Sequence, residues 1–135
     1  MEWYTELEQK YIELFEVNPV NGMPVRGIEC GKGWAKHVGS FLESLLWHTN
    51  HNKIEDKKNI IKIFQIKEKF GRVRVYLTCP EHINDMIQTA LGYLEGQCSL
   101  TCEDCGRIGN PDGSELTPTE GWITYVCEEC KHKEG

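Results

Sequence analysis

Tyr4, Leu7, Tyr11, Leu14 and Phe15 recur at helical spacing among Glu, Gln and Lys. They share one side of a 3.6-residue period, which predicts an amphipathic helix over residues 2–16, ended by Asn18-Pro19. A second stripe, Trp34, Val38, Phe41, Leu42, Leu45, Leu46 and Thr49, predicts a helix over about 34–49 with a broad face for the core. Between the two, residues 18–33 hold four glycines and two prolines without periodicity, so a loop is expected there.

Beyond the polar stretch from His51 to Asn59 the pattern changes to alternation. Ile61, Ile63, Gln65 and Lys67 fall on one face and Ile60, Lys62, Phe64 and Ile66 on the other. Past Glu68-Lys69-Phe70-Gly71, the apolar Val73, Val75 and Leu77 alternate with Arg72, Arg74 and Tyr76. This reads as a β-hairpin whose second strand buries Val73, Val75 and Leu77 and turns Arg72, Arg74 and Tyr76 outward. A third helix follows Cys79-Pro80, with Ile83, Met86, Ile87, Ala90, Leu91 and Leu94 as its stripe and Gly96 near its end. The order predicts an α+β fold of three helices packed on a β-hairpin or small antiparallel sheet, occupying residues 1–97. Residues 98–135 change character and read as a separate module. A two-stranded sheet is marginal alone, which leaves room for a third strand from the loop or the module.

A chain of 135 residues with 39% hydrophobic and 27% charged residues has the make-up of an ordinary globular domain. No stretch approaches the roughly 18 apolar residues of a membrane span, and the acidic start lacks the positive region of a secretory signal, so a cytoplasmic protein without a membrane partner is expected. The net charge of -6 disfavours general affinity for nucleic acid. That average hides a basic island. Residues 53–76 carry eight basic and three acidic side chains, whereas residues 77–135 carry three and eleven.

Seven cysteines in a chain with no export signal argue against a disulfide framework. Four are ordered as two Cys-x2-Cys pairs, Cys102/Cys105 and Cys127/Cys130, with 21 residues between the pairs. Each pair can chelate from one tight turn while the intervening chain closes the tetrahedron, which predicts a bound Zn2+. Gly106 lets the chain turn back after the first pair. Asn110-Pro111-Asp112-Gly113 reads as a turn and Gly121 to Val126 as a strand leading into Cys127, the parts of a zinc-ribbon or treble-clef-like module. Four thiolates fill the coordination shell, so the metal is expected to fold the module and not to catalyse. Cys98 and His132 are expected to be bystanders, Cys30 and Cys79 buried small residues, and Trp34 and Trp122 packing residues. Gly31-Lys32-Gly33 lacks the context of a phosphate loop; Gly27 and Gly31 are expected to permit positive φ at the turn into the second helix.

Several segments occur together and in order: Lys10-Tyr11-Ile12-Glu13-Leu14-Phe15, Cys30-Gly31-Lys32-Gly33-Trp34, Gln65 to Gly71, Thr101-Cys102-Glu103-Asp104-Cys105-Gly106, and Gly121-Trp122 ahead of Cys127. Across residues 10–130 they resemble a family of small phage and bacterial proteins of unassigned function with a zinc-knuckle tail. The resemblance implies the fold and the metal but no reaction. Lys32 stands where the family tends to have an acidic residue, and Arg72 where a second glycine tends to follow Phe-Gly.

Two functions compete on these residues. The first is a non-catalytic, zinc-stabilised binding protein, in concrete form a phage-encoded inhibitor or modulator of a host protein in defence or nucleic-acid processing. Its acidic tail, with Glu103, Asp104, Glu128 and Glu129, would imitate the charge of nucleic acid. The alternative is nucleic-acid binding through the basic hairpin 62–76, with Lys62, Lys67, Lys69, Arg72 and Arg74 on phosphates and Phe70 and Tyr76 available to stack. No acid/base pair or open metal site can be named, so an enzyme is not expected.

Overall fold

The computed structural model describes residues 2–51, 61–109, 115–118 and 125–133. The first apolar stripe forms α1, Trp3–Lys10, which is shorter than the periodicity predicts. At Tyr11 the backbone leaves the helix, at φ -114 and ψ 30, and a 3-10 turn at Ile12–Leu14 follows. That break turns Leu14 and Phe15 into the core together, where both are fully buried. The ring of Tyr11 is buried as well, and its hydroxyl donates to Glu43 Oε2 at 2.6 Å.

The 18–33 segment is ordered by its own backbone. Asn18 N–H donates to Met23 O at 2.8 Å and Val25 N–H to Glu16 O at 2.9 Å, closing a tight turn. The chain then enters β1, Gly27–Glu29. A 3-10 turn at Lys32–Trp34 leads into α2, Ala35–His51. The hairpin is β2, Lys62–Lys69, with β3, Arg72–Thr78. After a 3-10 turn at Glu81–Ile83, α3 runs from Asn84 to Leu100.

Among the described residues the sheet has three strands in the order β1-β2-β3, the first pair parallel and the second antiparallel. It is therefore mixed, and the expected all-antiparallel sheet is corrected: the third strand comes from the loop and lies parallel to β2. Burial explains the docking, because Ile28 opposite Ile66 is drawn into the core. The outer edge of β1 is covered by α1, whose Glu8 accepts the Ile28 N–H at 2.8 Å. Burial raises the Glu8 pKa above its ordinary 4.5, against the lowering effect of that hydrogen bond.

The simple alternation predicted for β2 also fails, for a physical reason. The register shifts between Ile63 and Gln65, so Phe64 is an extra residue on one strand and the parity of every later side chain reverses. Ile63, Ile66 and Glu68 face the helices opposite Leu77, Val75 and Val73. Gln65, Lys67 and Lys69 face the other way, opposite Tyr76, Arg74 and Arg72. On β3 the alternation holds: Val73 is buried, Val75 and Leu77 are partly buried, and Arg72, Arg74 and Tyr76 are exposed.

α2 packs on α3 and α3 on β3, so helices cover one face of the sheet, around Trp34, Val38, Leu42, Leu45, Ile63, Ile66 and Ile87. Cys98 and partly buried Cys30 and Cys79 belong to this same core, and burial pushes all three thiols up. α3 runs across the expected boundary at residue 97. A second hydrophobic cluster then begins at Cys102, with Val126, Cys127 and Cys130, and Leu116 against it. The tail adds two short antiparallel strands, β4, Thr117–Pro118, and β5, Tyr125–Val126, and a fourth α-helix, α4, Glu128–Lys133. The turn expected at 110–113, the strand before Tyr125, Trp122 and the side chain of His132 lie outside what is described. No helix among the described residues is long and apolar enough to cross a membrane.

Candidate metal centre and cationic face

After α3 the chain forms a knuckle: Gly106 N–H donates to Cys102 O at 2.9 Å and Cys102 N–H to Arg107 O at 2.8 Å, beside a bridge between Thr101 and Ile108. Such a turn brings Cys102 and Cys105 side by side. The second pair sits at the start of α4, where Lys131 N–H donates to Cys127 O at 3.0 Å. β5 delivers it to the first pair, since Glu103 N–H reaches Tyr125 O.

The four sulfurs lie within 4.8 Å of one another, and Cys105 Sγ is 3.7 Å from Cys127 Sγ. A disulfide needs about 2.05 Å, so these are separate thiols converging on a common centre that could hold a metal ion. Cys102, Cys127 and Cys130 are buried and Cys105 is exposed. Burial raises the thiols of Cys105 and Cys130, with neighbouring sulfurs adding to the rise at Cys130. Burial also raises Cys127, but the Cys130 N–H and the surrounding sulfurs outweigh it and bring this thiol to about 7. The predicted ligands are thus brought together, and Cys30, Cys79 and Cys98 are not among them.

The cysteine cluster is fastened to the main core by contacts that sequence gives no sign of. Gly33 N–H donates to Glu103 O at 2.7 Å, and Gly31 N–H to Glu103 Oε2 at 2.8 Å. A Cβ on Gly33 would run into the carbonyl of Cys102, so only glycine lets the two backbones meet. Gly31 has an ordinary φ of -72, which corrects the expected positive value; what it supplies is room for Glu103. Trp34 Nε1–H donates to Thr101 O at 3.0 Å, and the ring is fully buried as expected. Thr101 donates its hydroxyl proton to Gln97 O, so it accepts from His37 Nε2–H at 2.9 Å. Glu103 is therefore buried and turned inward. A cavity of about 790 Å³ between α2 and α3, with Phe41, Tyr93 and Leu94 in its wall, includes none of the four cysteines.

The predicted basic residues gather on the face of the sheet turned away from α2 and α3, where Lys69, Arg72 and Arg74 are exposed, Lys67 is partly buried and Gln65 is buried. Lys67 stands directly opposite Arg74 and Lys69 directly opposite Arg72, two consecutive rungs of like charge, with Gln65 opposite Tyr76 next. Like charges facing each other across strands destabilise a sheet by up to about 1 kcal/mol per pair. Glu29 of β1 is level with Lys67, but its ion pair is with Arg26, at 3.7 Å. Arg107 pairs with Glu129 in the tail, so neither of these two ion pairs involves any of the four cations. Lys62 stands apart, opposite Thr78.

Phe70 and Gly71 form the two-residue turn, with φ of 55 and 81. Both central residues are left-handed, as a type I′ turn requires, and Asn-Gly is the pair that suits it. Glu68 Oε1 accepts the Gly71 N–H at 2.7 Å, and the Tyr125 ring packs where a Cβ on Gly71 would stand. Phenylalanine at the first position is strained by about 1–3 kcal/mol. The residue is 59% exposed. The Lys69 ammonium lies 5.9 Å from the ring centroid, which puts Phe70 beside the cationic rungs. Sequence located these residues; the left-handed backbone at Phe70, its exposure, and the rung-by-rung pairing needed the fold. No protein-family model matches the chain, and no curated protein or solved structure is significantly similar to it.

Proposed function

We propose that the chain is a non-catalytic, zinc-stabilised binding protein that engages an anionic macromolecule through the cationic side of its hairpin, where Lys69, Arg72 and Arg74 are exposed. The observation that carries this reading is the pair of consecutive like-charged rungs, Lys67/Arg74 and Lys69/Arg72. A chain of net charge -6 has carboxylates in plenty to place opposite these cations. A surface that keeps four cations together at a cost in stability is suited to a partner that supplies the negative charge.

Zinc is favoured by the donor set and the spacing. Four thiolates at about 2.3 Å from a tetrahedral Zn2+ stand about 3.8 Å apart, close to the 3.7 Å between Cys105 and Cys127. The shell then has no open position, so the ion's work is to tie the knuckle, β5 and α4 together. A second cysteine pair seated at the start of a helix supports a treble-clef-like arrangement over a ribbon. Free thiolates suit a reducing compartment such as the cytoplasm. A modulator of a host protein acting through an acidic tail has less support, because Glu103 is spent on Gly31 and Glu129 pairs with Arg107.

The test is binding of the zinc-loaded chain to labelled DNA and to heparin as salt is varied, for the parent and for Arg72→Ala/Arg74→Ala. The parent should bind at low salt with a steep salt dependence. The double variant should bind more weakly, with the log–log slope shallower by about 1.4–1.8 if both arginines meet phosphates. No binding to any polyanion at low salt, or identical slopes, would overturn the proposal.

A further inference from the structure

We propose that the cavity between α2 and α3 binds a small amphipathic anion, a straight-chain carboxylate whose head group meets Lys36 and whose acyl chain lies over Phe41, Ala90 and Leu94 toward Met86. This is a second site, on other residues than the cationic side of the hairpin and for another kind of ligand.

The cavity exists because small side chains meet small ones. The hydrogen bond from His37 to Thr101 sets the first turn of α2 beside the end of α3, so Lys36 and Gln97 mark one end of the cavity and Met86 the other. Between those ends α2 presents Ser40 and Ser44, one turn apart, and α3 presents Thr89 and Ala90. Protein interiors are normally filled to the density of organic crystals. Here the two stripes leave about 790 Å³ between them, inside the range of about 300–1,000 Å³ found for small-molecule sites. Phe41 and Leu94, both buried, form an apolar floor, and Met86 and Ala90 continue it partly buried.

Charge selects the sign of the ligand. The chain carries 21 Asp and Glu against 15 Lys and Arg. None of those acids is among the described residues that line the cavity, whereas Lys36 is. The one acid of α2, Glu43, accepts the Tyr11 hydroxyl proton instead. His37 adds little charge, because burial and the neighbouring Lys36 lower its pKa below 6.5. An ammonium with the Ser40 hydroxyl and the Gln97 amide near it offers donors to a carboxylate and repels a cation.

Shape selects the rest of the molecule. Met86 and Gln97 are eleven residues apart on α3, about 16 Å at a helical rise of 1.5 Å per residue. An extended acyl chain of about a dozen carbons spans that length. A docked helix needs separate apolar pockets for anchors a turn apart. This cavity has one continuous apolar strip, with hydroxyls along its α2 wall, which suits a single hydrocarbon chain.

The test is calorimetric titration of the full zinc-loaded chain with dodecanoate, decanoate, dodecanol and dodecyltrimethylammonium, each below its micelle concentration. Dodecanoate should bind saturably, one per chain, and at least tenfold more tightly than the trimethylammonium. Decanoate, with two fewer methylenes to bury, should bind about 15-fold more weakly. Lys36→Glu should weaken dodecanoate by about 3- to 30-fold and leave dodecanol within about twofold. Ser40→Phe and Thr89→Phe fill the cavity from exposed positions on opposite walls. Each should fold as the parent does and weaken dodecanoate at least fivefold. Arg72→Ala/Arg74→Ala should leave dodecanoate within about twofold, which separates this site from the hairpin. Absence of saturable binding, equal affinity for the trimethylammonium, or unchanged affinity in both phenylalanine variants overturns this inference and leaves the polyanion reading standing. Binding of an acidic amphipathic helical peptide that Ser40→Phe abolishes, with none of dodecanoate, overturns it in favour of a helix.

Discussion

Replacing Arg74 by Glu should make the protein more stable while weakening its hold on polyanions. Arg74 faces Lys67 on one rung, and the next rung toward the turn is Lys69 with Arg72. Two unit charges about 6 Å apart in water repel by about 0.7 kcal/mol, and a Debye length of about 10 Å at 0.1 M salt reduces this to about 0.4 kcal/mol. Arg74→Glu converts that repulsion with Lys67 into an attraction of the same size, a gain of about 0.8 kcal/mol, and the diagonal cations add in the same direction. At 1 M salt, where the screening length is about 3 Å, the gain falls to about 0.2 kcal/mol. The shift in melting temperature at low salt is then about 2–4 °C upward. Urea denaturation of the zinc-loaded protein at both salt concentrations measures it. Arg74→Gln should gain about half as much. If Arg74→Glu is less stable than the parent at 0.1 M salt, or the difference is the same at 1 M, the cross-strand repulsion is not there.

The fastening of the cysteine cluster is tested by Gly33→Ala, whose Cβ would meet the Cys102 carbonyl and displace the Gly33–Glu103 hydrogen bond. A loss of about 2–4 kcal/mol is expected by urea denaturation, with weaker retention of zinc against a chelator, and a change under 0.5 kcal/mol would show the contact to be unimportant. Stripping the metal with a strong chelator should release one zinc per chain, measured by elemental analysis, and leave the second cluster without its centre; the 125–131 backbone amides should then exchange hydrogen rapidly, while those of β2 and β3 away from the turn stay protected. Glu8→Gln retains an oxygen to accept the Ile28 N–H. Because the Glu8 pKa is raised above 4.5 on folding, the native state holds its proton more tightly, and stability is fully present below that value and declines as pH rises through the folded pKa. Gln should remove that decline and be as stable as the parent or more so at pH 7, whereas Glu8→Ala, which leaves the N–H unmet, should lose about 1–3 kcal/mol.

Period and spacing made much of this molecule legible. The stripes of α2 and α3 have one broad apolar side each, so any folding of the chain had to place them against a core. The alternation of β3 is clean because every second residue is Arg or Tyr. The two Cys-x2-Cys pairs carry their own geometry, since a knuckle needs only local turns to bring two sulfurs together. What sequence left open depended on contacts between distant segments. The bulge at Phe64 follows from how β2 must fit both β3 and the core, and no local propensity marks it. Ile28 becomes a strand residue only because β2 offers a parallel edge and Glu8 arrives to cover the other side. Glu103 reads as one more surface acid until the Gly31–Gly33 turn is seen against it.

Which residues are apolar, which are cationic and which cysteines form local pairs are properties of spacing along the chain, and they are plain before any fold is known. It took the folded chain to set Lys67 and Lys69 opposite Arg74 and Arg72, to hold Phe70 left-handed beside them, and to bring the two cysteine pairs together against Gly33 and Gly71. Register, crossing backbones and the sharing of one face are set by the whole core at once, and no single segment carries them.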